Sequence, residues 1–419
     1  MIEKISTVII GGGVVGLAIA NELSEHTQEE IVLIERNEKI GSDFRMQSLR
    51  SSGVIHAGVY HSRKNEPLKA SLTVQGNSAI YAFCEKHNVP YKKTGKLIVA
   101  SAQHEIEFLE DLLRISQENN IPDTRIIDQT EIHSFEPNVQ GQAALYVPSS
   151  GIIDSVSYLN KLHQLALNQG TNFLIGTEVE NIEALSDGFK IRTRSQSRIE
   201  EFECKRIINC AGLYSDDITL MLEKDFPFRI NPIRGESAKF YHTARKDIFV
   251  NGMNVYPVPV YHDLDGRVVE KSLKEIKELE TKGLVKRTVG IHLTPTLESI
   301  NEQNVISSMV TLGPAKTFGL GKENYGDNLK QPSFYLEGVQ KIFPSLRESD
   351  IQLHQAGIMA VVKGHGDFIS PVSARYPNFY RYVGYDSPAL TDSLSIAQNF
   401  REAHYRNKHF FKLGIICQD

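Results

Sequence analysis

The N-terminal part of the chain alternates between apolar runs and a cluster of glycines. Residues 5–10 form a continuous, β-branched apolar run, which is typical of a strand buried on both faces. Residues 14–24 then place apolar side chains at helical spacing, and residues 31–34 form a second apolar run that ends at Glu35. This order predicts a strand, a helix and a second strand parallel to the first, the βαβ unit.

The rest of the chain shows two kinds of spacing. Helices alternate with strands early in the sequence, which indicates an α/β fold with a parallel sheet. The predicted helices are 66–88, 104–119 and 155–169, and the predicted strands are 95–100, 172–176, 189–193 and 206–210. The middle resembles an antiparallel sheet, with strands at 231–240, 254–260, 288–294 and 309–312 and a charged, solvated helix at 271–282. A strand at 380–384 and a helix at 389–400 follow.

Composition narrows the class of protein. The 419 residues, 41% of them hydrophobic, are enough for two domains with a packed core. With 46 basic and 51 acidic residues, the chain has no excess of positive charge for binding nucleic acid. The four cysteines form no CxxC pair, which favours a reducing compartment, and we assign no metal site. The apolar stretch 7–20 is too short to span a bilayer and makes a poor signal peptide, so we expect a soluble, cytoplasmic protein.

The glycines at 11–16 satisfy the pattern G-x-G-x-x-G between the first predicted strand and helix. Gly11 permits a tight turn, Gly13 lets backbone approach a pyrophosphate, and Gly16 lets the helix pack closely on the strand. The helix N-terminus then offers free N–H groups to phosphates. Glu35, at the end of the second strand, could accept both ribose hydroxyls of an adenosine. The alternative is a glycine-rich turn that only packs.

Two later segments favour FAD over NAD as the dinucleotide. The predicted strand at 206–210 leads into Ala211 and Gly212, which are small enough for close approach of a long cofactor. Residues 384–391 lead from a strand into a helix with Pro388 near its first turn, where the helix dipole could face a flavin pyrimidine ring. No second G-x-G-x-x-G supports a separate nicotinamide site. Ordinary turns between strands and helices are the alternative for both segments.

Taken together, these and other motifs resemble the L-2-hydroxyglutarate dehydrogenase/oxidase group of the D-amino-acid-oxidase-like, FAD-dependent superfamily. The resemblance rests on the segments 7–16 with Glu35, 52–60, 95–100, 151–154, 209–212, 232–236, 255–259, 290–294 and 387–391. It spans nearly the whole chain in order. It implies a Rossmann-like FAD-binding domain (1–90, 145–230 and 350–419) and an inserted substrate domain with a mixed or antiparallel sheet (91–144 and 231–349).

The resemblance also implies which residues hold FAD and where the electrons go. The implied cofactor-binding residues are Gly11, Gly13, Val14, Val15, Gly16, Glu35, Arg36, Ser51, Ser52, Gly53, Val179, Ala211, Gly212, Gly357, Ser387, Pro388, Ala389, Leu390 and Thr391. The electron acceptor would be a quinone or oxygen. The apolar tail at 409–416 would either dock on the core or contact a membrane surface, which would suit a quinone.

Four segments depart from the group's pattern. Residues 49–51 are Leu-Arg-Ser where Gly-His-Asn is expected, and residues 313–316 are Gly-Pro-Ala-Lys where Gly-Pro-Asn-Ala is expected. Residues 357–360 are Gly-Ile-Met-Ala where Gly-x-Arg-Ala is expected, and 261–287 resembles an insertion. The first three lie near flavin or substrate in related enzymes, so they leave the exact substrate open.

Oxidation of a 2-hydroxy acid requires a hydride acceptor and a base for the hydroxyl proton, and histidine is the suitable base near neutral pH. His56 is the first candidate because it follows the Ser-Gly loop expected beside the flavin. Its alternative roles are a buried structural histidine or a flavin contact. His292 is the second candidate, with a plain strand position as its alternative. Tyr60 and Tyr256 could donate hydrogen bonds to substrate or simply pack.

A carboxylate substrate requires a cation, ideally an arginine. Arg234 is the candidate with the best position, and an internal ion pair with Glu236 is its alternative. Arg50 and Lys316 stand at departures from the family pattern and could replace the positive charge lost at Met359, or be surface charges.

These residues favour an FAD-dependent oxidoreductase that acts on the CH–OH group of a small L-2-hydroxy acid. An amino-acid or amine oxidase of the same superfamily is the first alternative. An FAD-binding protein with degenerate chemistry is the second, and an NAD-dependent dehydrogenase is the third.

Overall fold

The computed structural model describes residues 4–43, 45–263, 267–269, 271–282, 284–300 and 303–405. Its strands are β1 (Ile5–Ile10), β2 (Ile31–Glu35), β3 (Val54–Ile55), β4 (Tyr91–Lys92), β5 (Lys96–Ala100), β6 (Arg125–Asp128), β7 (Ala143–Val147), β8 (Gly151–Ile153), β9 (Asn172–Ile175), β10 (Thr177–Leu185), β11 (Gly188–Ser195), β12 (Arg198–Asn209), β13 (Ile230–Tyr241), β14 (Asn254–Pro257), β15 (Val260–Asp263), β16 (Val285–Thr288), β17 (His292–Ile300), β18 (Gln303–Thr317), β19 (Gln352–Val362) and β20 (Phe379–Arg381). Its α-helices are α1 (Val14–His26), α2 (Pro67–His87), α3 (Ile106–Glu118), α4 (Gln129–Phe135), α5 (Ser155–Asn168), α6 (Ser215–Leu222), α7 (Leu273–Thr281), α8 (Pro332–Val339) and α9 (Ala389–Tyr405).

The first sheet contains the predicted βαβ unit. Its order is β10-β11-β12-β1-β2-β9, and β20 pairs with the last residues of β12. Strands β1, β2, β9, β12 and β20 are parallel, whereas β10 and β11 are antiparallel to their neighbours. Helices α1, α2, α5 and α9 cover one face and α6 covers the other, which is why β1 and β2 are almost entirely apolar.

The second sheet is larger and mostly antiparallel. Its order is β19-β13-β18-β17-β14-β5-β7-β6, and β14 with β5 is its parallel pair. One face packs on α8 and on a core that includes Leu97, Val255 and Leu293. The opposite face carries Lys96, Ile98 and Tyr256, and α3 packs against part of it. The predicted α/β fold with an inserted mixed sheet is confirmed.

Two of the predicted domain boundaries do not match the division of the strands between the two sheets. Residues 350–419 were expected in the first domain, but β19 pairs along its whole length with β13 of the second sheet. β7 spans the predicted boundary at residue 145 and also belongs to the second sheet. The predicted strand 254–260 is divided into β14 and the start of β15, and the predicted insertion contributes the β15–β16 hairpin and α7.

The apolar tail predicted at 409–416 lies outside the described residues. Among the described helices, none has both the length and the apolar character needed to cross a bilayer.

Candidate active site

In the glycine-rich segment between β1 and the start of α1, the fold requires glycine at 11 and 16 but not at 13. A Cβ on Gly11, whose φ is +109°, would lie 2.4 Å from the carbonyl oxygen of Cys210, and one on Gly16 would lie 2.0 Å from that of Gly11. A Cβ on Gly13 would meet one described atom outside its immediate neighbours, Ser48 Oγ at 3.4 Å. The fold therefore leaves a cradle of bare backbone in front of Gly13, as a pyrophosphate requires.

Glu35 is held at the end of β2 by backbone donors. Its Oε2 accepts the N–H of Gly12 at 2.6 Å, and its Oε1 accepts the N–H of Asn37 at 2.8 Å. The carboxylate is thus fixed next to the glycine loop, where the ribose of an adenosine would lie. The neighbouring Arg36 places its guanidinium 3.7 Å from the ring centre of Tyr214. Cradle and carboxylate together fit the adenosine diphosphate part of FAD.

The loop after Arg50 and the start of α9 are tied together. The hydroxyl of Thr391 accepts the N–H of His56 at 3.1 Å and lies 3.4 Å from the carbonyl oxygen of Val54. Gly53 has a φ of +69°, and a Cβ on it would meet the carbonyl oxygen of Ile153 at 2.5 Å. The structure therefore brings one predicted flavin-binding segment, 387–391, against residues 54–56, which directly follow the other, 51–53.

Three other predicted cofactor residues lie on or just after strands of the first sheet. Val179 is buried in β10, and Ala211 and Gly212 directly follow β12. Gly357 has a different reason to be glycine, because a Cβ there would lie 2.8 Å from Cβ of Arg50.

Six side chains from separate parts of the chain form what we call the polar cluster. Its members are His56 and Tyr60 from the loop after β3, Lys96 on β5, Tyr256 on β14, His292 on β17 and Lys316 on β18. The rings of Tyr256 and His292 stack with centres 3.7 Å apart, and Nζ of Lys96 lies 3.9 Å from the Tyr256 ring centre. Four neighbouring strands of the second sheet thus supply four of its members, and the loop after β3 supplies the other two.

Burial sets the charge state of the polar cluster. It lowers the pKa of His56 well below the usual value, with Lys96 adding to the effect, and lowers that of His292 to about 3. Burial also lowers the pKa of Lys96 to about 7, and it lowers the pKa of Lys316, although Asp386 opposes the shift at Lys316. The cluster thus presents neutral imidazoles, which can accept a proton, beside lysines that can pair with an anion.

The carboxylate near Lys316 already has a partner. Asp386 forms an ion pair with Lys69 at 3.0 Å, and both side chains are mostly buried. None of the six members of the cluster is a carboxylic acid, so an anion that pairs with its lysines has to come from elsewhere.

Arg234 takes the alternative role that the sequence left open. Its side chain is 1% exposed and pairs with Glu236, with Nη2 to Oε1 at 2.8 Å. Its other N–H groups donate to Asn324 and to the carbonyl oxygens of Asp327 and Asn328. In the β13–β18 pair, Lys316 lies opposite Gly235, one residue along from Arg234, so the two side chains point to opposite faces of the sheet. The prediction that Arg234 binds substrate is corrected for this reason.

Arg50 also lies apart from the polar cluster. Its Nη1 donates to the carbonyl oxygen of Ala356 at 3.0 Å, and its guanidinium lies 5.4 Å from the Tyr325 ring centre. Sequence reasoning missed Lys96 as a candidate. Its one signal was a lysine within the apolar strand 96–100, where strand lysines are normally on an exposed edge.

Comparisons with known proteins agree with this geometry. The family model described as FAD dependent oxidoreductase, DAO, matches residues 6–402. The chain belongs to this family of FAD-dependent oxidoreductases. The match confirms the resemblance seen in the sequence and confirms FAD as the cofactor of this DAO-family enzyme.

Relatives align with more than nine-tenths of this DAO-family chain. The L-2-hydroxyglutarate dehydrogenase of Indibacter alkaliphilus is 30% identical over 404 residues, 93% of this chain and 96% of the relative. The mitochondrial L-2-hydroxyglutarate dehydrogenase of Caenorhabditis elegans is 31% identical over 95% of this chain and 92% of the relative.

Solved structures share the fold of the DAO-family chain. The L-α-glycerophosphate oxidase from Mycoplasma pneumoniae with FAD bound superposes with a TM-score of 0.74 at 25% identity, over 95% of this chain and 94% of the oxidase. The L-proline dehydrogenase from P. horikoshii gives a TM-score of 0.75 at 17% identity, over 99% and 96% of the two chains.

Proposed function

We propose that this enzyme oxidises the CH–OH group of an L-2-hydroxy acid, with L-2-hydroxyglutarate as the first candidate. The observation that carries the proposal is the end-to-end similarity to L-2-hydroxyglutarate dehydrogenases, at 30% and 31% identity over more than nine-tenths of the chain. The polar cluster supports it, since it combines a proton acceptor with cations for a carboxylate.

His56 is the group proposed to take the hydroxyl proton. When bound, FAD supplies the acceptor for the hydride that leaves the substrate carbon. The backbone N–H of His56 is bonded to Thr391 and its carbonyl oxygen accepts from Asn77 at 2.8 Å, so the residue is fixed beside the start of α9. Burial keeps the imidazole of His56 neutral, so a ring nitrogen can accept a proton, and it also makes this imidazole a weaker base than an ordinary histidine.

Lys316 is proposed to bind a carboxylate of the substrate. It lies on the cluster's face of the second sheet, and it stands where the family pattern has no lysine. A cation there would take over the charge that the family places at the position of Met359. The stacked rings of Tyr256 and His292 would form the adjoining wall of the pocket.

The electron acceptor is proposed to be a quinone or oxygen, as the family resemblance implies. Oxygen consumption under turnover, compared with reduction of a soluble quinone, distinguishes the two. The cytoplasmic location expected from the sequence stays a prediction.

An anaerobic screen of flavin reduction tests the proposed reaction. The FAD-loaded enzyme is mixed in turn with L-2-hydroxy acids, L-amino acids and glycerol 3-phosphate, and the visible absorption of the flavin is followed. We expect fast bleaching by L-2-hydroxyglutarate or another L-2-hydroxy acid. Bleaching by amino acids alone would instead show an amine oxidase, and no bleaching by any compound would show degenerate chemistry.

A further inference from the structure

Lys96 is buried without an anionic partner. Its side chain is 1% exposed in the middle of the second sheet, between β14 and β7. Within the described part of the chain it makes no ion pair, and burial is the sole cause of its lowered pKa, about 7. An ammonium group removed from water in this way is costly unless something compensates it.

A tyrosine ring near this lysine carries a buried hydroxyl without a partner. The hydroxyl of Tyr60 is buried, and it has no hydrogen-bond partner among the residues that the structure describes. Nζ of Lys96 lies 5.6 Å from the Tyr60 ring centre and 3.9 Å from that of Tyr256. Buried polar groups in proteins almost always have partners, so an unpartnered hydroxyl near an ammonium that has no anion indicates a group that arrives from outside.

Among the described residues, no carboxylate acts on the charge of Lys96. The groups around it come from several elements. They are His56, Tyr60 and His61 of the loop after β3, Tyr256 of β14, His292 of β17 and Arg287 of β16, whose Nη2 donates to the carbonyl oxygen of Tyr60 at 2.7 Å. His61 and Arg287 bind Glu66 at 3.1 and 3.0 Å, and Glu280 acts on Arg287 rather than on Lys96. The six groups named around Lys96 are neutral or positive, so the surroundings favour an anion.

Resting on the proposed function, we propose that Lys96 and the Tyr60 hydroxyl form a subsite that binds a carboxylate of the substrate. The subsite is distinct from Lys316, which lies on β18, while two strands, β17 and β14, separate β18 from β5. The charges of both lysines reach His292, which lies between them. A dicarboxylate can therefore meet a cation at each end, whereas a monocarboxylate meets one.

Proton uptake is the signature of this subsite. A lysine that titrates near pH 7 in the free enzyme is mostly neutral at pH 8, and a bound carboxylate favours its protonated form. Binding at pH 8 should therefore take up nearly one proton per ligand. Affinity should weaken as pH rises above 7, because the proton must then be drawn from a more alkaline solution.

The test uses the FAD-loaded enzyme and glutarate, a dicarboxylate without a hydroxyl group to oxidise. Titration followed by the flavin spectrum gives Kd, and calorimetry in buffers of different ionisation enthalpy gives proton uptake. We expect Lys96→Met to raise Kd at least about tenfold and to abolish proton uptake, and Tyr60→Phe to raise Kd about fivefold. The matched control is Lys239→Met on β13, which should retain both the affinity and the uptake.

Stability separates binding from a structural role. Because Met removes a buried charge and keeps the chain length, Lys96→Met should unfold at the same or a higher temperature than the parent protein. Unchanged Kd and unchanged proton uptake in the folded Lys96→Met variant would overturn the subsite.

Substrate turnover distinguishes failure of the subsite from failure of the proposed function. Reduction of the flavin by L-2-hydroxyglutarate, with equal kcat/KM in the parent and the Lys96→Met variant, would overturn the subsite and leave the reaction standing. Glutarate binding that depends on Lys96, in an enzyme that no hydroxy acid reduces, would support the subsite and overturn the reaction. Comparing L-2-hydroxyglutarate with L-2-hydroxyvalerate then shows which carboxylate the subsite binds. If Lys96→Met lowers kcat/KM only for the dicarboxylate, the subsite binds the carboxylate far from the hydroxyl. If it lowers kcat/KM equally for both compounds, the subsite binds the carboxylate next to the hydroxyl.

Discussion

At the scale of single residues, Gly16 and Gly13 differ in whether the fold itself leaves room for a side chain. Gly16 has no room for a Cβ because the Gly11 carbonyl oxygen would lie 2.0 Å from it. Gly13 has room, since Ser48 Oγ at 3.4 Å is an ordinary neighbour for a methyl group and the φ of Gly13 is −72°. The fold therefore does not require glycine at 13, and we expect the requirement to come from the pyrophosphate.

We predict that Gly13→Ala weakens FAD binding by about a hundredfold or more while the stability of the apoprotein changes by less than about 1 kcal/mol. Fluorescence titration with FAD and urea unfolding of the apoprotein measure the two effects. Gly16→Ala is the matched comparison, and it should destabilise the apoprotein itself. Loss of apoprotein stability in Gly13→Ala would contradict this division.

The polar cluster predicts an unusual pH profile of kcat/KM. Burial lowers the pKa of His56, so the base stays unprotonated and the acid limb should lie well below the ordinary histidine value of about 6.5. Lys96, whose pKa is about 7, has to be protonated to bind an anion, so activity should fall as pH rises above 7. The Lys96→Met variant should lose this alkaline limb. An acid limb near pH 6.5 that disappears in His56→Ala would contradict the environment described for His56.

Sequence reasoning succeeded for residues that act together within one short segment. The spacing of Gly11 and Gly16 predicts the tight turn and the close helix packing that the structure shows, and the pyrophosphate contact of Gly13 stays a prediction. Arg234 was predicted wrongly because strand alternation puts neighbouring residues on opposite faces, and the sequence does not say which face meets the flavin. Lys96 was missed because its burial depends on strands that are distant in the sequence.

At the scale of elements, most helices and strands follow from apolar spacing, but their partners do not. The predicted helix at 66–88 corresponds to α2 (Pro67–His87), which ends where Asn88 adopts a left-handed conformation with φ of +55°. In contrast, the domain assignment of β19 could not be predicted, because pairing with β13 is a contact between segments more than a hundred residues apart.

One buried carboxylate joins two loops of the second domain. Glu136, at the end of α4, is fully buried and accepts the N–H groups of Asn251, Gly252 and Met253 at 2.7, 2.9 and 2.7 Å. Removing it leaves three backbone donors without an acceptor, two of them buried, and each unsatisfied buried donor costs free energy.

We predict that Glu136→Ala lowers the free energy of unfolding by more than about 2 kcal/mol, measured by urea denaturation of the apoprotein. Glu110→Ala, an exposed position on α3, is the control and should change it by less than about 0.5 kcal/mol. Equal stability of the two variants would show that the turn at 251–253 does not depend on Glu136.

At the scale of the whole molecule, the predicted insertion is fastened to the loop that carries His56. Arg287 on β16 donates from Nη2 to the carbonyl oxygen of Tyr60 at 2.7 Å and to Glu66 at 3.0 Å. Although burial alone would raise it, His61 and Arg287 lower the pKa of Glu66 to about 2, so this acid is charged at neutral pH. The hairpin thus becomes part of the wall around the polar cluster.

We predict that Arg287→Met loosens this attachment without unfolding the protein. Backbone amides of β15 and β16 should exchange with solvent about ten times faster or more, and KM should rise because Tyr60 is less well fixed. Hydrogen exchange followed by mass spectrometry measures the first effect. Lys271→Met, an exposed position in the same insertion, should leave both unchanged, and unaltered exchange in Arg287→Met would contradict the proposed attachment.

The central claim is that a bound FAD receives the hydride of an L-2-hydroxy acid in this site. An anaerobic titration of the FAD-loaded enzyme with the two enantiomers of 2-hydroxyglutarate tests it most directly. The L enantiomer should bleach the flavin completely and yield one 2-oxoglutarate for each FAD reduced, whereas the D enantiomer should leave the spectrum oxidised. A flavin that stays oxidised with both enantiomers, in protein that has bound its full complement of FAD, would contradict the claim.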